Sequence, residues 1–480
     1  MNLLGGATTL ILAKVVFVIS GYALYSALSR LLAPHEFGMF LIVNSIVAVL
    51  NAIFITGTIQ AVSRFVSQSP STGWPVVKSA FKLQFALAGS VAAVYMVGAG
   101  VISNALNDPS LARAIRISAV IPFCYAFYAV FVGYLNGQRR FTHQAMFDMA
   151  YSVIKLGLIV GLCVAGFATE GAVSGFALAS VVILAAAAII VRPSDRDADA
   201  PPPPIAILKF ELAVMAYVGL TNLLMQSDLL MLKALSPPTD ANAVAAVYGS
   251  AVKLAQIPQS LLIALNFVIF PLFAKASSES DATKVVEYTR YGMRACLILV
   301  AGPVVILSTL REPLMSLVFG PTYQAGAGVL SILGVAYGAL ALVGLTLTMF
   351  NGAGKPWVSL LFVGATLTLQ VVLNSVFIPR YGMTGAAAGT CIAYCGAFAA
   401  TGWYQWRRFG ATLPALSLVR VSGVCAVVYL AGRIPQVSGA ALLLMALALG
   451  SAYLGLLALT GEVRVLDIKR GLARPELQST

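Results

Sequence analysis

YLNGQRRFTHQAMFDMAYSVIKLGLIVG, beginning at Tyr134, runs parallel to MFNGAGKPWVSLLFVGATLTLQVVLNSV, beginning at Met349. Asn136-Gly137 aligns with Asn351-Gly352 at an offset of 215, and Gly171-Ala172-Val173-Ser174-Gly175 aligns with Gly385-Ala386-Ala387-Ala388-Gly389 at 214. Between the copies lies the longest hydrophilic break, RPSDRDADAPPPPIAIL from Arg192 to Leu208. Its prolines cannot continue a helix, so it predicts an extended linker. Repeat and linker together predict two six-helix units of the same orientation, related by an axis along the membrane normal, an arrangement that suits a transporter.

The sequence around these segments is that of a membrane protein. Of 480 residues, 60% are hydrophobic and 10% charged, against about 25% charged in an ordinary soluble chain. With mean hydropathy at +0.91, a water-soluble protein is excluded. About fourteen apolar windows are long enough to cross a hydrocarbon core about 30 Å thick. The expected division is an N-lobe at 1–191, a linker at 192–208, a C-lobe at 209–408, and two further spans with a tail at 409–480. These last two spans have no counterpart in the repeat. The first apolar run has no positive leader and no small-residue cleavage site, and is expected to stay as a helix.

Nineteen Lys and Arg fall on the side holding the N-terminus, seven on the other and four within spans, which predicts that both termini and the linker face the cytoplasm. The net charge of +13 therefore reflects membrane topology; no basic domain exists to hold a nucleic acid. The six cysteines all lie in apolar runs and read as small buried hydrophobes without a disulfide framework or zinc site.

Ionisable groups inside spans cost roughly 2.5–3.5 kcal/mol on insertion scales, so each needs a reason. Lys155 lies about 14 Å into its span at 1.5 Å per residue, and Lys253 is similarly deep in the other half. Asp148 stands two turns before Lys155 on the same face. Asp228, with Gln226 and Asn222, forms a polar stripe near the outer end of the seventh span. Lys14 serves equally well as a snorkelling anchor or a cavity group, and Asp148 as an interfacial residue. Structural ion pairing of Lys155 with Asp148, or of Lys253 with Asp228, is the plainer alternative. Gly89, Gly98, Gly100 and the Gly385–Gly389 run are expected to let helices approach closely. Pro258 and Pro271, in an unusually long eighth span, predict a kink or break. Only two histidines occur, His35 and His143, far apart and beside loops, and no GxxxxGK[ST] phosphate loop is present, so neither a metal site, a catalytic triad nor nucleotide driving is expected. No cofactor is expected, and any energy source should be an ion gradient.

The stretch Ser29-Arg30-Leu31-Leu32-Ala33-Pro34-His35-Glu36-Phe37-Gly38-Met39-Phe40 with the run GTIQAVSRFV from Gly57, then Ala246 to Leu254 (AVYGSAVKL) and Leu317 to Tyr323 (LVFGPTY), resembles the polysaccharide-transporter family of the multidrug/oligosaccharidyl-lipid/polysaccharide (MOP) exporter superfamily. The resemblance implies an all-α integral membrane fold of about fourteen helices, two six-helix lobes around a central cavity plus two C-terminal helices. It also implies a Wzx-type flippase of the bacterial inner membrane, moving a polyprenyl-pyrophosphate-linked oligosaccharide. Its partners would be membrane lipids and, downstream, a polysaccharide polymerase and export machinery. Lys14, Arg64, Lys155, Lys253 and Gln226 are then candidate substrate contacts, and Asp148 and Asp228 candidates for a coupling H+ or Na+. The related lipid II flippases share the two extra helices, but their Arg- and Asp-rich opening is not evident here. The drug/cation antiporters share the lobes but not this opening pattern. A membrane enzyme acting on lipid-linked glycans would need a substantial outer loop, and the outer loops are short.

Overall fold

The computed structural model describes residues 3–68, 73–191, 204–237, 239–279, 281–433, 439 and 441–462, with side chains from Val15 onward except at a few positions. No strand occurs among them. Eighteen α-helices follow one another: α1 (Leu3–Leu31), α2 (Pro34–Gln68), α3 (Gly73–Val97), α4 (Ala99–Ala105), α5 (Leu111–Ser118), α6 (Val120–Gly137), α7 (Phe141–Leu162), α8 (Ala168–Ile190), α9 (Pro204–Leu235), α10 (Ala241–Ala255), α11 (Ile257–Ser260), α12 (Leu262–Ser278), α13 (Ala282–Thr309), α14 (Arg311–Phe319), α15 (Ala327–Gly352), α16 (Pro356–Phe409), α17 (Ala415–Gly432) and α18 (Ala441–Leu459). Ten helical segments are long and apolar enough to cross a membrane; two of them, Phe141–Ile190 and Pro356–Phe409, are hairpins of two spans each, and α1 and the irregular α10–α12 complete about fourteen. Each predicted window is thus occupied by helix. The eighth span is irregular around Pro258 in α11, where regular helix lapses at Gln256 and at Leu261 with both residues still in right-handed helical conformation, while Pro271 is accommodated inside α12.

The sequence repeat has a backbone counterpart. Ala168 (φ 45°, ψ −134°) and Gly382 (φ 56°, ψ −135°) share one unusual conformation at an offset of 214, and each sits where the chain turns back on itself. After each turn two glycines allow close antiparallel contact. A Cβ on Gly171 would lie 3.1 Å from the Leu162 carbonyl oxygen, and one on Gly175 2.7 Å from the Ile159 Cα. In the second copy a Cβ on Gly385 would lie 2.2 Å from the Phe377 carbonyl oxygen, and one on Gly389 would be equally close to the Asn374 side chain. That backbone region is essentially reserved for glycine and costs another residue about 1–3 kcal/mol. Ala168→Gly should therefore stabilise the protein by about 1 kcal/mol, and Gly382→Ala should destabilise it by at least as much. Thermal unfolding in detergent checks both; an Ala168→Gly midpoint at or below the wild-type value would count against the strained turn.

Two expectations need correction. A Cβ added at Gly89 would meet only the edge of the Phe123 ring, at 4.0 Å, and one at Gly100 would meet nothing within 4 Å, so neither glycine mediates close packing. Gly133 and Gly137 do so instead, one turn apart on α6, where added Cβ atoms would lie 2.8 and 2.6 Å from the Cβ atoms of Val62 and Val66 on α2. Cysteine burial is also uneven: Cys124, Cys163 and Cys296 are buried, but Cys395 is exposed on the apolar surface of α16, because an apolar residue in a membrane helix is equally at home against lipid.

The chain forms two compact units, Met1–Gly249 and Ser250–Thr480. In the first, α9 lies along α2, and their surfaces mesh through Gly57 against Met215 and Gly219 against Ile53. Gly38, inside the Pro34–Phe40 stretch, allows the Asn242 backbone to lie where a Cβ would be 1.8 Å from its carbonyl oxygen. In the second unit α17 and α18 pack on α13. Gly302 makes room for the Tyr453 ring, whose hydroxyl donates to the Ile298 carbonyl oxygen at 2.8 Å.

Candidate functional site

The first unit carries a buried carboxylate that sequence reading missed. Glu211 is 1% exposed and lies two turns into α9, from the linker side. Thr58 Oγ1 of α2 donates to its Oε1 at 2.6 Å and Gln84 Nε2 of α3 donates to the same oxygen at 2.5 Å. The Gln84 Oε1 atom is buried with no partner. One turn deeper, Phe54, Ala88 and Met215 close an apolar layer with Ala126. The site is therefore a polar layer from three helices resting on an apolar one. Among the described residues no Lys or Arg forms an ion pair with Glu211. The guanidinium of Arg64 on α2 stacks 4.7 Å over the ring of the adjacent Phe210. A lone Glu at the predicted edge of a span reads as interfacial; its burial follows from α2 and α3, more than 120 residues away in sequence.

The opposite end of α9 is held by a different cluster. Lys233 Nζ, 1% exposed, meets Asp108 Oδ2 at 3.0 Å, and Asn242 Nδ2 donates to the same oxygen at 2.7 Å. Asn107 Nδ2 donates to the Ala234 carbonyl oxygen at 2.8 Å. Partial burial raises the affinity of Asp108 for a proton, but hydrogen bonds from Ser110, Asn242 and Lys233 and the Lys233 charge outweigh it. The carboxyl is therefore held below the usual carboxylate range. α9 is thus tied to the first unit by a neutral-donor cluster at one end and an ion pair at the other.

The residues singled out from sequence are distributed along these same helices. Lys155, half-buried on α7, holds its ammonium 3.8 Å from the Phe176 ring centroid and 5.9 Å from that of Tyr151. Such a cation–π seat stabilises a desolvated ammonium by up to about 2 kcal/mol. Asp148, on the same face, is half-buried within electrostatic reach of Tyr125 and Tyr128, whose rings form a cluster with Tyr151 and Phe147. Asp228 is fully buried: the Tyr248 hydroxyl donates to one oxygen at 2.7 Å and the Leu229 amide to the other at 2.8 Å. Gln226 is 7% exposed on the same helix. Arg64 is exposed, and Lys253 is half-buried on α10. Lys14 lies within α1, but its side chain is outside the described residues.

The all-helical fold is similar to that of solved membrane transporters, among them members of the MOP superfamily. A lipid II flippase, MurJ, in an inward closed conformation matches 97% of this chain and 99% of its own at a TM-score of 0.77 and 13% identity. An inward-facing multidrug-resistance MATE transporter of that superfamily matches 81% and 94% at 0.69 and 19% identity. At these identities the likeness is one of fold. The chain belongs to the polysaccharide biosynthesis protein family, whose model matches residues 3–277. Among curated relatives, the uncharacterized membrane protein YabM of Bacillus subtilis is 22% identical over 65% of this chain, and an uncharacterized membrane protein of Methanocaldococcus jannaschii is 27% identical over 32%. The matched segments span 62% and 31% of those relatives' own lengths.

Proposed function

We propose that the chain is a flippase that carries a polyprenyl-pyrophosphate-linked oligosaccharide, the repeat unit of an O-antigen, exopolysaccharide or capsule, across the bacterial inner membrane by alternating access. The observation that carries this reading is Lys155, a cation seated on an aromatic ring in mid-span of a polysaccharide-family chain with a transporter fold. A pyrophosphate and its glycan cannot cross hydrocarbon unaided. A hydrated path with fixed positive charge binds the head while the polyprenyl tail stays in lipid. Lys14, Arg64, Lys155, Lys253 and Gln226 are the proposed contacts, and the two lobes, 1–191 and 209–408, rock about the 192–208 linker. No bond is made or broken. The product is handed to a polymerase and export machinery on the outer side.

Coupling to an ion gradient needs a group that exchanges a cation. Asp148 and Asp228 remain proposed sites, but both oxygens of Asp228 already accept hydrogen bonds. Glu211 suits a proton better, because it has two neutral donors on one oxygen and a neighbouring Gln84 oxygen free to accept from a carboxylic acid.

Reconstitution in liposomes with candidate lipid-linked saccharides tests the reading. Sidedness can be set by an impermeant thiol reagent on a single cysteine at Ala200, which should react only from the cytoplasmic face if the linker and termini lie there. Lys155→Met should insert at normal levels, since removing a mid-membrane charge eases insertion, and should flip at least about tenfold more slowly. Full flipping by Lys155→Met would leave that lysine a structural role. Transport of lipid II alone, or of organic cations alone, would move the chain to those branches of the superfamily.

A further inference from the structure

The second unit carries a basic cavity that the transport reading does not use. It has a volume of about 690 Å³, within the range of ordinary small-ligand sites, and lies where α13 and α17 begin and the chain leaves α18. Arg290 and Arg294 stand one turn apart on α13, and Arg420 enters from α17. Glu462, 3% exposed, binds Arg294 Nε at 2.8 Å and Arg420 Nη1 at 3.5 Å, which fixes both guanidiniums on one wall. Arg290 is exposed and forms no ion pair among the described residues. With Glu287 also lining the cavity, the balance is three positive charges against two negative.

The surroundings place this cavity at a lipid head-group level. Leu416 and Tyr291 on its rim are 60% and 52% exposed, and Val419 beside it is 68% exposed, as suits side chains facing acyl chains. A smaller neighbouring cavity shares Arg290 and is lined by Trp406, and Trp403 and Trp406 are both largely exposed at the end of α16. Exposed tryptophans at a helix end mark the membrane–water boundary. A guanidinium presents paired donors that fit phosphate oxygens, and here two are pre-oriented while a third is left with capacity.

We propose that this cavity binds the phosphate of an anionic lipid drawn from the adjoining leaflet, so that the two appended helices serve as a head-group site. The ligand chemistry is a lipid-borne phosphate ester, supplied by a resident anionic phospholipid or by the polyprenyl pyrophosphate cargo before transport. Glu462 is a positioning residue, acting through Arg294 and Arg420.

Native mass spectrometry of the full-length protein, released from phosphatidylcholine micelles and titrated separately with phosphatidylglycerol, undecaprenyl pyrophosphate and inorganic phosphate, tests the assignment. Wild type should retain anionic lipid at least tenfold better than Arg290→Gln/Arg420→Gln, while Arg113→Gln, an exposed arginine of the other unit, should match wild type. Arg290→Gln alone should weaken binding without disturbing the Glu462 bridge, and keeps the test valid if the double variant folds poorly. Preferential retention of phosphatidylglycerol assigns the site to a resident lipid. Preferential retention of undecaprenyl pyrophosphate assigns it to the cargo. Equal lipid retention by wild type and Arg290→Gln, or binding of inorganic phosphate as tight as of either lipid, would overturn the proposal. Binding is read without flipping, so failure here is separable from failure of the transport reading.

Discussion

Glu211→Gln should fold normally and lose the stimulation of flipping by an imposed proton gradient, falling at least about tenfold to the gradient-free rate, a change of about 1.4 kcal/mol in the barrier. The amide oxygen can accept from Thr58 and Gln84 as the carboxylate does, so the contact between α2, α3 and α9 survives the substitution. What is lost is the ability to take up and release a proton. Each cycle of that exchange would switch Glu211 between a charge, expensive in an apolar surround, and a neutral acid that Gln84 can satisfy through its unpartnered oxygen. Flipping in paired liposomes with and without a pH step, at matched protein density, measures the effect. If the variant still responds to the step as wild type does, Glu211 is a structural hydrogen-bond acceptor and the coupling group must be sought at Asp148 or Asp228. Thr58 on α2 and Gln84 on α3 contact it, Arg64 stacks on the adjacent Phe210, and Lys209 stands two residues before it on α9.

The second large effect concerns the other end of α9. Asp108→Asn removes the carboxylate that pairs with Lys233 and leaves an ammonium that is 1% exposed without its counter-charge among the described residues. Removing one partner of a buried pair costs about 3–5 kcal/mol, and because Asp108 itself is 13% exposed the lower figure applies, roughly a hundredfold in the local opening equilibrium. Thiol labelling of a cysteine at Ala241, which is 1% exposed beside this cluster, should accelerate correspondingly. Lys233→Met added to Asp108→Asn should restore most of the protection, since replacing both charges removes the orphan. Unchanged labelling in Asp108→Asn would show that Asn242 and Asn107 hold the helix end unaided. The pH dependence has a definite sign. Asp108 titrates below its unfolded value, so its contribution is fully present above about pH 4 and is lost as pH falls through the lowered folded value. Wild type should therefore approach the behaviour of Asp108→Asn only in stronger acid, and the variant should show no Asp108 titration in that window.

Opposite ends of one helix thus carry two different kinds of tie, a buried carboxylate held by neutral donors near the linker and an ion pair far from it.

Much of the architecture was legible because membrane spans are specified locally. A run of apolar residues long enough to cross hydrocarbon must be helical to satisfy its own backbone, whatever it packs against. The windows, the repeat at offsets 214–215 and the irregularity near Pro258 therefore follow from the sequence alone. So does the prominence of Lys155, since a charge in such a run stands out by its cost. Periodicity could not reveal which polar residues are buried or which glycines are crowded. Glu211 is placed by Thr58 and Gln84, 153 and 127 residues away, and Gly38 is required by the carbonyl oxygen of Asn242 at the start of α10. Gly89 and Gly133 look alike in sequence, yet only Gly133 faces another helix closely. Nor could the sequence show that Arg294 and Arg420 would meet on Glu462, with Arg290 lining the same cavity. Hydrophobic length fixes where the chain crosses the membrane; which side chains meet depends on rotation and contact between helices far apart in the chain, and only the packed structure decides that.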